Sequence, residues 1–139
     1  DRHITRILVT HHPFDLPAHA DQAALVDRAP IAWQAYSECG VDLLLSGHMH
    51  ASHSGSTADR YQMSEYAALV IQAGTATSTR GRGEVNSFNV VRVEHDKVEV
   101  DRYGWDMVGK MFSVMSTEKF LRSGNVWAAH TDGLYAAGL

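Results

Sequence analysis

Short apolar runs separated by polar, glycine-containing segments dominate the first two thirds of the chain. The runs at residues 4–10 and 41–46 are almost continuously apolar, which is typical of strands buried on both faces. A similar run at residues 67–73 predicts a third strand. Because helical spacing appears between the first two runs, the pattern favours an α/β fold.

Two helices are predicted between the first two strands. Asp21 is placed to cap a short helix over residues 22–28. Pro30 suits the first turn of a second helix that runs to Glu38. Gly40 is suited to end this second helix, because glycine readily adopts the left-handed conformation found at helix ends.

The second half of the chain is less regular. Residues 51–66 are rich in serine, histidine and glycine and predict a long loop, and residues 74–85 predict another. Alternating apolar residues at 87–94 and 98–103 predict a hairpin.

Beyond Trp105 the pattern is weaker. Met107, Met111 and Met115 recur at a spacing of four, which favours a helix. The tail from Gly124 shows no pattern that predicts an element.

Composition excludes several classes of function. The 139 residues, 45% hydrophobic and 20% charged, are typical of one globular domain. A net charge of −4 provides no basic surface for nucleic acid or anionic membrane, and no apolar stretch reaches transmembrane length. Cys39 is the only cysteine and cannot form an internal disulfide, which is compatible with the cytoplasmic location that we expect.

Histidines are concentrated where two predicted strands end. His11 and His12 follow the first strand, and His48 and His50 follow the second across Gly47. Ligands of open α/β sheets bind at the carboxyl ends of the strands. Imidazole is the commonest metal ligand in proteins and suits zinc, iron, nickel and copper. The sequence therefore predicts a metal site at this edge.

These motifs resemble the C-terminal half of the calcineurin-like metallophosphoesterases. In that family a strand ends in His-x-Pro, a helix follows, and the next strand ends in Gly-His-x-His; here they are residues 11–13 and 47–50. Ala-Gly-Thr at residues 73–75, with Asn-Ser-Phe-Asn at residues 86–89, is similar to the cyclic-nucleotide phosphodiesterase branch.

The resemblance implies half of a metallophosphoesterase-type β-sandwich flanked by helices, with strands from residue 67 onward in the second sheet. Residues 1–139 are then the C-terminal portion of a single metallophosphoesterase domain. The family's N-terminal half supplies Asp-x-His, Gly-Asp-x-x-Asp and Gly-Asn-His-Asp/Glu. The first is spelled only by residues 1–3, before a strand rather than after one, and the others do not occur. We therefore expect a longer parent protein.

The resemblance also implies a ligand set and a reaction. His11 and His48 would bind one divalent ion and His50 a second, with manganese, iron, zinc or cobalt as the metals. His12 would take a catalytic role beside the substrate. The parent would hydrolyse a phosphoester, most fittingly a phosphodiester such as a cyclic nucleotide.

Two alternatives stay open. A phosphomonoesterase or protein phosphatase would use the same scaffold and ligands, and a non-catalytic metal-binding or assembly module would be completed by a partner or a second copy. Because the predicted strands lack neighbours, we expect self-association through an exposed sheet edge. Arg80 and Arg82 would either bind phosphate through their planar guanidinium groups or form a solvated loop tip.

Overall fold

The chain folds into two four-stranded sheets and one α-helix within the part that the structure, a computed structural model, describes. The described residues are 4–16, 25–61, 63, 65–79 and 83–131. Their elements are β1 (Ile7–Val9), α1 (Ala29–Cys39), β2 (Leu43–Ser46), β3 (His53–Ser56), β4 (Leu69–Gln72), β5 (Ser87–Val93), β6 (Lys97–Asp106), β7 (Met111–Ser123) and β8 (Val126–His130). The predicted α/β class is confirmed.

The first sheet has the strand order β1-β2-β4-β3. Strands β1, β2 and β4 are parallel, with Leu43 opposite both Ile7 and Leu69, and β3 runs antiparallel to β4. The carboxyl ends of the three parallel strands therefore meet at one edge. The segments that follow them, which carry the predicted site, begin at that edge.

The second sheet has the order β5-β6-β7-β8, with every pair antiparallel, so the predicted hairpin is confirmed. The two sheets face each other across an apolar core, as in a β-sandwich. The buried core side chains are Leu43, Leu69 and Ile71 from the first sheet and Val98, Val100, Phe120 and Trp127 from the second.

Helix α1 covers the outer face of the first sheet. Its Trp33 is 1% exposed and packs with Leu44 and Val70. Gly40 ends the helix at φ 65°, and its N–H donates to the Ser37 carbonyl at 3.1 Å, as its predicted role requires. In the described part of the chain α1 is the only α-helix, and no helix there is long and apolar enough to cross a membrane.

The resemblance to the family predicts that residues 67–73 lie in the second sheet, and this prediction is wrong. Strand β4 lies in the first sheet between β2 and β3, and the second sheet begins at β5. All four β4 residues are buried, because one face packs against the sandwich core and the other lies on the side of α1. A strand that is apolar on both faces suits this central position.

The predicted methionine helix is also wrong. Met111 and Met115 lie in β7, which pairs with β6 along most of its length. A spacing of four residues satisfies the two-residue period of a strand as well as the 3.6-residue period of a helix. The tail without a pattern contains β8, joined to β7 by a turn with Gly124 at φ 63°.

Two further predictions concern the loop at residues 51–66 and the helix at residues 22–28. The predicted loop at residues 51–66 contains β3 and a short 3-10 helix, Thr57–Asp59. Strand β3 has no apolar alternation because it is an edge strand held by its backbone pairing with β4. Of the predicted helix at 22–28, residues 22–24 and the capping Asp21 lie outside the described residues, and residues 25–28 form no helix.

Candidate metal centre

Backbone hydrogen bonds join the ends of the two histidine-bearing strands. The Thr10 N–H donates to the Leu45 carbonyl at 2.9 Å, one residue beyond β1. The Gly47 N–H donates to the His11 carbonyl at 3.3 Å. These bonds extend the parallel pairing of β1 and β2 past the sheet, so the two loops begin side by side.

Three histidines meet on these loops. His48 Nδ1 lies 3.2 Å from His11 Nε2. His12 joins them, and one ligand nitrogen from each ring lies within 4.8 Å of the other two. All three side chains are exposed. We call His11, His12 and His48 the histidine cluster; within the described residues, no carboxylate belongs to it.

His50, the third predicted ligand, is held elsewhere at the same edge. Its Nδ1 lies 2.6 Å from Thr75 Oγ1, in the segment that follows β4. That bond occupies one ring nitrogen and fixes the orientation of the ring, leaving Nε2 for another partner. The structure thus brings together His11 and His48 as predicted and adds His12, while His50 lies outside the cluster.

The loop that carries His48 and His50 has an unusual backbone. His48 has φ 69° and His50 has φ 57°, both in the left-handed region that is uncommon for residues with a Cβ. Met49 between them donates its N–H to the Gly47 carbonyl at 2.8 Å. Such conformations cost on the order of 1–3 kcal/mol each and concentrate at functional sites. The backbone conformation of the Gly-His-Met-His turn therefore supports a functional site there, in addition to the sequence motif.

Thr75 is positioned by close packing of the Ala-Gly-Thr segment against β5. The Ser87 N–H donates to the Thr75 carbonyl at 2.9 Å. A Cβ atom on Gly74 would collide with Ser87 Oγ, so a larger residue at that position would require the Ser87 hydroxyl to turn away. The motif therefore supplies both a close contact between the sheets and the hydroxyl that orients His50.

Glu84 anchors the chain beyond His50. Its Oε2 accepts from the Ser52 N–H at 3.1 Å and from Ser52 Oγ at 3.0 Å. The same oxygen accepts from Arg102 Nη2 at 2.7 Å, which ties the loop to the second sheet. No pattern in the sequence indicates this role of Glu84. Arg80 and Arg82, considered as phosphate ligands, lie outside the described residues.

No protein-family model matches the chain, and no curated protein matches it. Among solved structures it is similar to three Vps29 proteins. Vps29 from Chaetomium thermophilum is 14% identical over 70% of this chain and 49% of that chain, with a TM-score of 0.46. Vacuolar Protein Sorting 29 from Cryptosporidium parvum is 20% identical over 75% and 50%, with a TM-score of 0.46. Vps29 from Entamoeba histolytica, solved with Zn²⁺, is 19% identical over 68% and 47%, with a TM-score of 0.42. The chain therefore spans about half the length of each of these structures.

Proposed function

We propose that this chain supplies part of the metal centre of a phosphoester hydrolase, with a phosphodiester as its substrate. The observation that carries the proposal is the convergence of His11 and His48 from two strand ends, with ring nitrogens 3.2 Å apart. Two nitrogens bound to one tetrahedral ion at about 2.0–2.1 Å lie about 3.3 Å from each other. The pair already has the spacing that a shared ion requires.

Three histidines and one threonine have roles in this proposal. His11 and His48 hold one ion, and His50 holds a second through Nε2 while Thr75 fixes its ring. When bound, two divalent ions about 3.5–4 Å apart supply an activated water and clamp the phosphoryl oxygens. Manganese, iron, zinc or cobalt would fit such a centre.

The charge balance of this centre requires ligands from elsewhere. The three imidazoles are neutral donors, and no carboxylate joins the cluster in the described part of the chain. Two divalent ions without anionic ligands would leave a large uncompensated charge. We therefore propose that a longer parent protein contributes the carboxylates, including one that bridges the two ions.

Two observations support a small phosphoester as the substrate, namely the open position of the histidine cluster and the net charge. The histidine cluster is exposed, which suits a small phosphoester approaching from solvent. The net charge of −4 does not favour long-range attraction of a polyanion, so a small molecule such as a cyclic nucleotide fits better than nucleic acid. The cytoplasmic location stays a prediction.

The test is a chromogenic phosphodiester assay on the parent protein and on the 139-residue chain, each with added Mn²⁺ or Zn²⁺. We expect the parent to turn over the phosphodiester, to prefer it over the matching phosphomonoester, and to lose activity when a chelator is added. The 139-residue chain should show negligible turnover because, among the residues that the structure describes, no carboxylate joins the histidine cluster. A parent that binds metal but hydrolyses neither class of substrate would contradict the proposal.

The alternative of an assembly module has its own supporting observation. Among the described strands, β1 lies at the edge of the first sheet and pairs only with β2. Around it Ile4 is 51% exposed, Ile7 47% and Val9 70%. An unpaired edge with exposed apolar side chains is a template for pairing with another chain. Under this alternative a second copy or a partner completes the sheet at β1.

Self-association at this edge is testable by sedimentation velocity on the 139-residue chain. We expect the sedimentation coefficient to rise with concentration, and Val9→Lys to shift the chain towards monomer because lysine on an edge strand opposes pairing. Ile31→Lys is the matched control, since Ile31 is equally exposed at 69% but lies on α1. A monomer at all concentrations, or equal effects of both variants, would contradict pairing through β1.

A further inference from the structure

A cleft of about 880 Å³ lies between β3 and β8, on the open side of the sandwich. Among the described strands, β3 ends the first sheet and β8 ends the second. The lining of the cleft comes from β3, β7, β8 and residues next to them, and among the described residues it includes no member of the histidine cluster. Since β3 lies at the opposite edge of the first sheet from β1, this cleft is also separate from the edge at β1.

The main chain of β3 points away from β4 at every second residue. The Thr57 N–H donates to the Ala68 carbonyl at 3.0 Å, which directs Thr57 towards β4. Because this direction alternates along an antiparallel pair, Ser54 and Ser56 direct their N–H and carbonyl groups away from β4. The N–H of Leu69, which is opposite Ser56, accordingly donates on the β2 side. Both serines line the cleft.

Strand β8 presents main chain to the same cleft. The Trp127 N–H donates to the Ala67 carbonyl at 2.9 Å, and the Trp127 carbonyl accepts from Ser56 Oγ at 2.7 Å. The main chain of Trp127 therefore points away from β7, and that direction recurs two residues later at Ala129. Among the described strands no ladder joins β3 to β8, so the two edges remain unpaired with each other beyond this contact.

We propose that the edge of β3 binds an extended peptide of another protein as an added strand, with a lysine or arginine of that peptide beside Glu118. An added strand exchanges backbone hydrogen bonds with an open sheet edge, and its alternate side chains give specificity. β3 contains neither lysine nor proline, the residues that commonly block such edges. The proposal concerns a partner and does not depend on phosphoester hydrolysis.

Glu118 provides charge complementarity for a basic side chain. It lines the cleft from β7, and its Oε2 accepts a hydrogen bond from Ser54 Oγ. Burial raises the pKa of the Glu118 carboxyl, and the charge of Arg102 lowers it only in part. A carboxylate that has lost solvation is stabilised by a cation at hydrogen-bond distance. Lys119 and His130 are opposite each other in the β7–β8 pairing, and strand alternation places their side chains on the other face of the sheet from Glu118.

The side chains of β3 determine which peptide fits. Ser54 and Ser56 both point across the cleft, as their bonds to Glu118 and to the Trp127 carbonyl show. Peptide residues opposite these two serines would point the same way, since directly opposed residues of paired strands share a face. One would meet Glu118, and the other would meet small apolar lining such as Ala58. The preferred peptide therefore has a basic residue two positions from an apolar one.

An NMR titration of the 139-residue chain with a blocked pentapeptide tests the proposal. The probe contains valine, threonine, lysine, threonine and valine in that order, so either strand direction satisfies the spacing. We expect saturable amide shifts at Ser54, Gly55 and Ser56 at probe concentrations up to about 1 mM. Methylating the probe's backbone nitrogens on the paired edge should weaken binding at least about tenfold, because it removes the hydrogen bonds to β3. Replacing lysine by norleucine should weaken it about threefold or more, because the cation is lost.

A matched pair of variants separates the main chain from the side chain. Ser54→Pro removes an N–H that points away from β4, a change that edge strands tolerate, and it should weaken binding at least about tenfold. Ser54→Ala keeps this N–H and loses only the hydroxyl, so binding should stay within about threefold. Glu118→Gln should make the lysine and norleucine probes bind equally. The comparison of probes on the unmodified chain keeps the test independent of how the variants fold.

Three results would overturn the inference. The first is no saturable binding of the unmethylated probe, and the second is equal binding of the methylated and unmethylated probes. The third is self-association of the chain that Ser54→Pro abolishes while the probe does not bind, because the occupant of the edge would then be a second copy. None of these measurements involves metal or turnover, so failure here is distinguishable from failure of the hydrolase proposal.

Discussion

Replacing His48 in the parent protein should lower kcat/KM for a phosphodiester by about a thousandfold, a loss of roughly 4 kcal/mol of transition-state stabilisation. His48 lies 3.2 Å from His11 and is one of the two proposed ligands of the first ion. Its removal leaves the first ion with one fewer nitrogen ligand, so that the ion no longer links the ends of β1 and β2. The measurement is steady-state turnover at saturating Mn²⁺ or Zn²⁺.

The choice of substitution matters because His48 has φ 69°. Alanine at this position bears the full penalty of the left-handed region, whereas asparagine adopts it more readily. His48→Asn therefore removes the imidazole with less disturbance of the backbone, and it should lose as much activity as His48→Ala.

A histidine remote from the cluster provides the control for this experiment. His130 is exposed at the end of β8 in the second sheet. We expect His130→Ala to keep the turnover of the unmodified protein. Retention of turnover within a few-fold by His48→Asn, with an unchanged melting temperature, would show that His48 binds no catalytic metal.

The elements that sequence predicted correctly carry strong local signals. Strands β1, β2 and β4 are short apolar runs, and α1 has both an early proline and a terminal glycine. Parallel pairing then places their carboxyl ends together, which is why the approach of His11 to His48 could be anticipated.

The elements that sequence missed depend on contacts between distant residues. β3 has the sequence His-Ser-Gly-Ser and forms through its pairing with β4, while β8 forms through its pairing with β7. Such edge strands have little intrinsic preference of their own, because β-propensity mainly reflects packing against neighbours.

Details of the site could not be predicted from the sequence, because they too depend on contacts between distant residues. The spacing of His48 and His50 at i and i+2 suggested two rings aimed into one cavity. Their left-handed φ values and the contact of His50 with Thr75, which set how the two rings are held, carry no signal in that spacing. Only the three-dimensional structure shows that His12 takes the third place.

The largest expected loss of stability comes from Asp42, a carboxylate that joins the two sheets. It is 8% exposed, and its Oδ1 accepts from Arg122 Nη1 at 3.0 Å and from Trp127 Nε1 at 3.2 Å. Its Oδ2 accepts from the Arg6 N–H at 2.9 Å. One side chain directly before β2 thus accepts hydrogen bonds from donors next to β1, on β7 and on β8.

Asp42→Ala should lower the free energy of unfolding of the 139-residue chain by about 3–5 kcal/mol, as measured by urea denaturation. The substitution removes the carboxylate from a guanidinium that is only 13% exposed and the acceptor from a buried indole N–H. Domains of this size have about 5–15 kcal/mol of stability in total, so the expected loss is a large share.

Two comparisons separate this effect from a general effect of removing an aspartate. Asp27→Ala removes a carboxylate that is 97% exposed and 4.0 Å from Arg28, so it should change stability by less than about 0.5 kcal/mol. Arg122→Met combined with Asp42→Ala should recover part of the loss, because removing both partners of a buried ion pair costs less than removing one. If Asp42→Ala proved no more destabilising than Asp27→Ala, the contacts of Asp42 would not hold the two sheets together, and the core between Leu43 and Trp127 would have to do so alone.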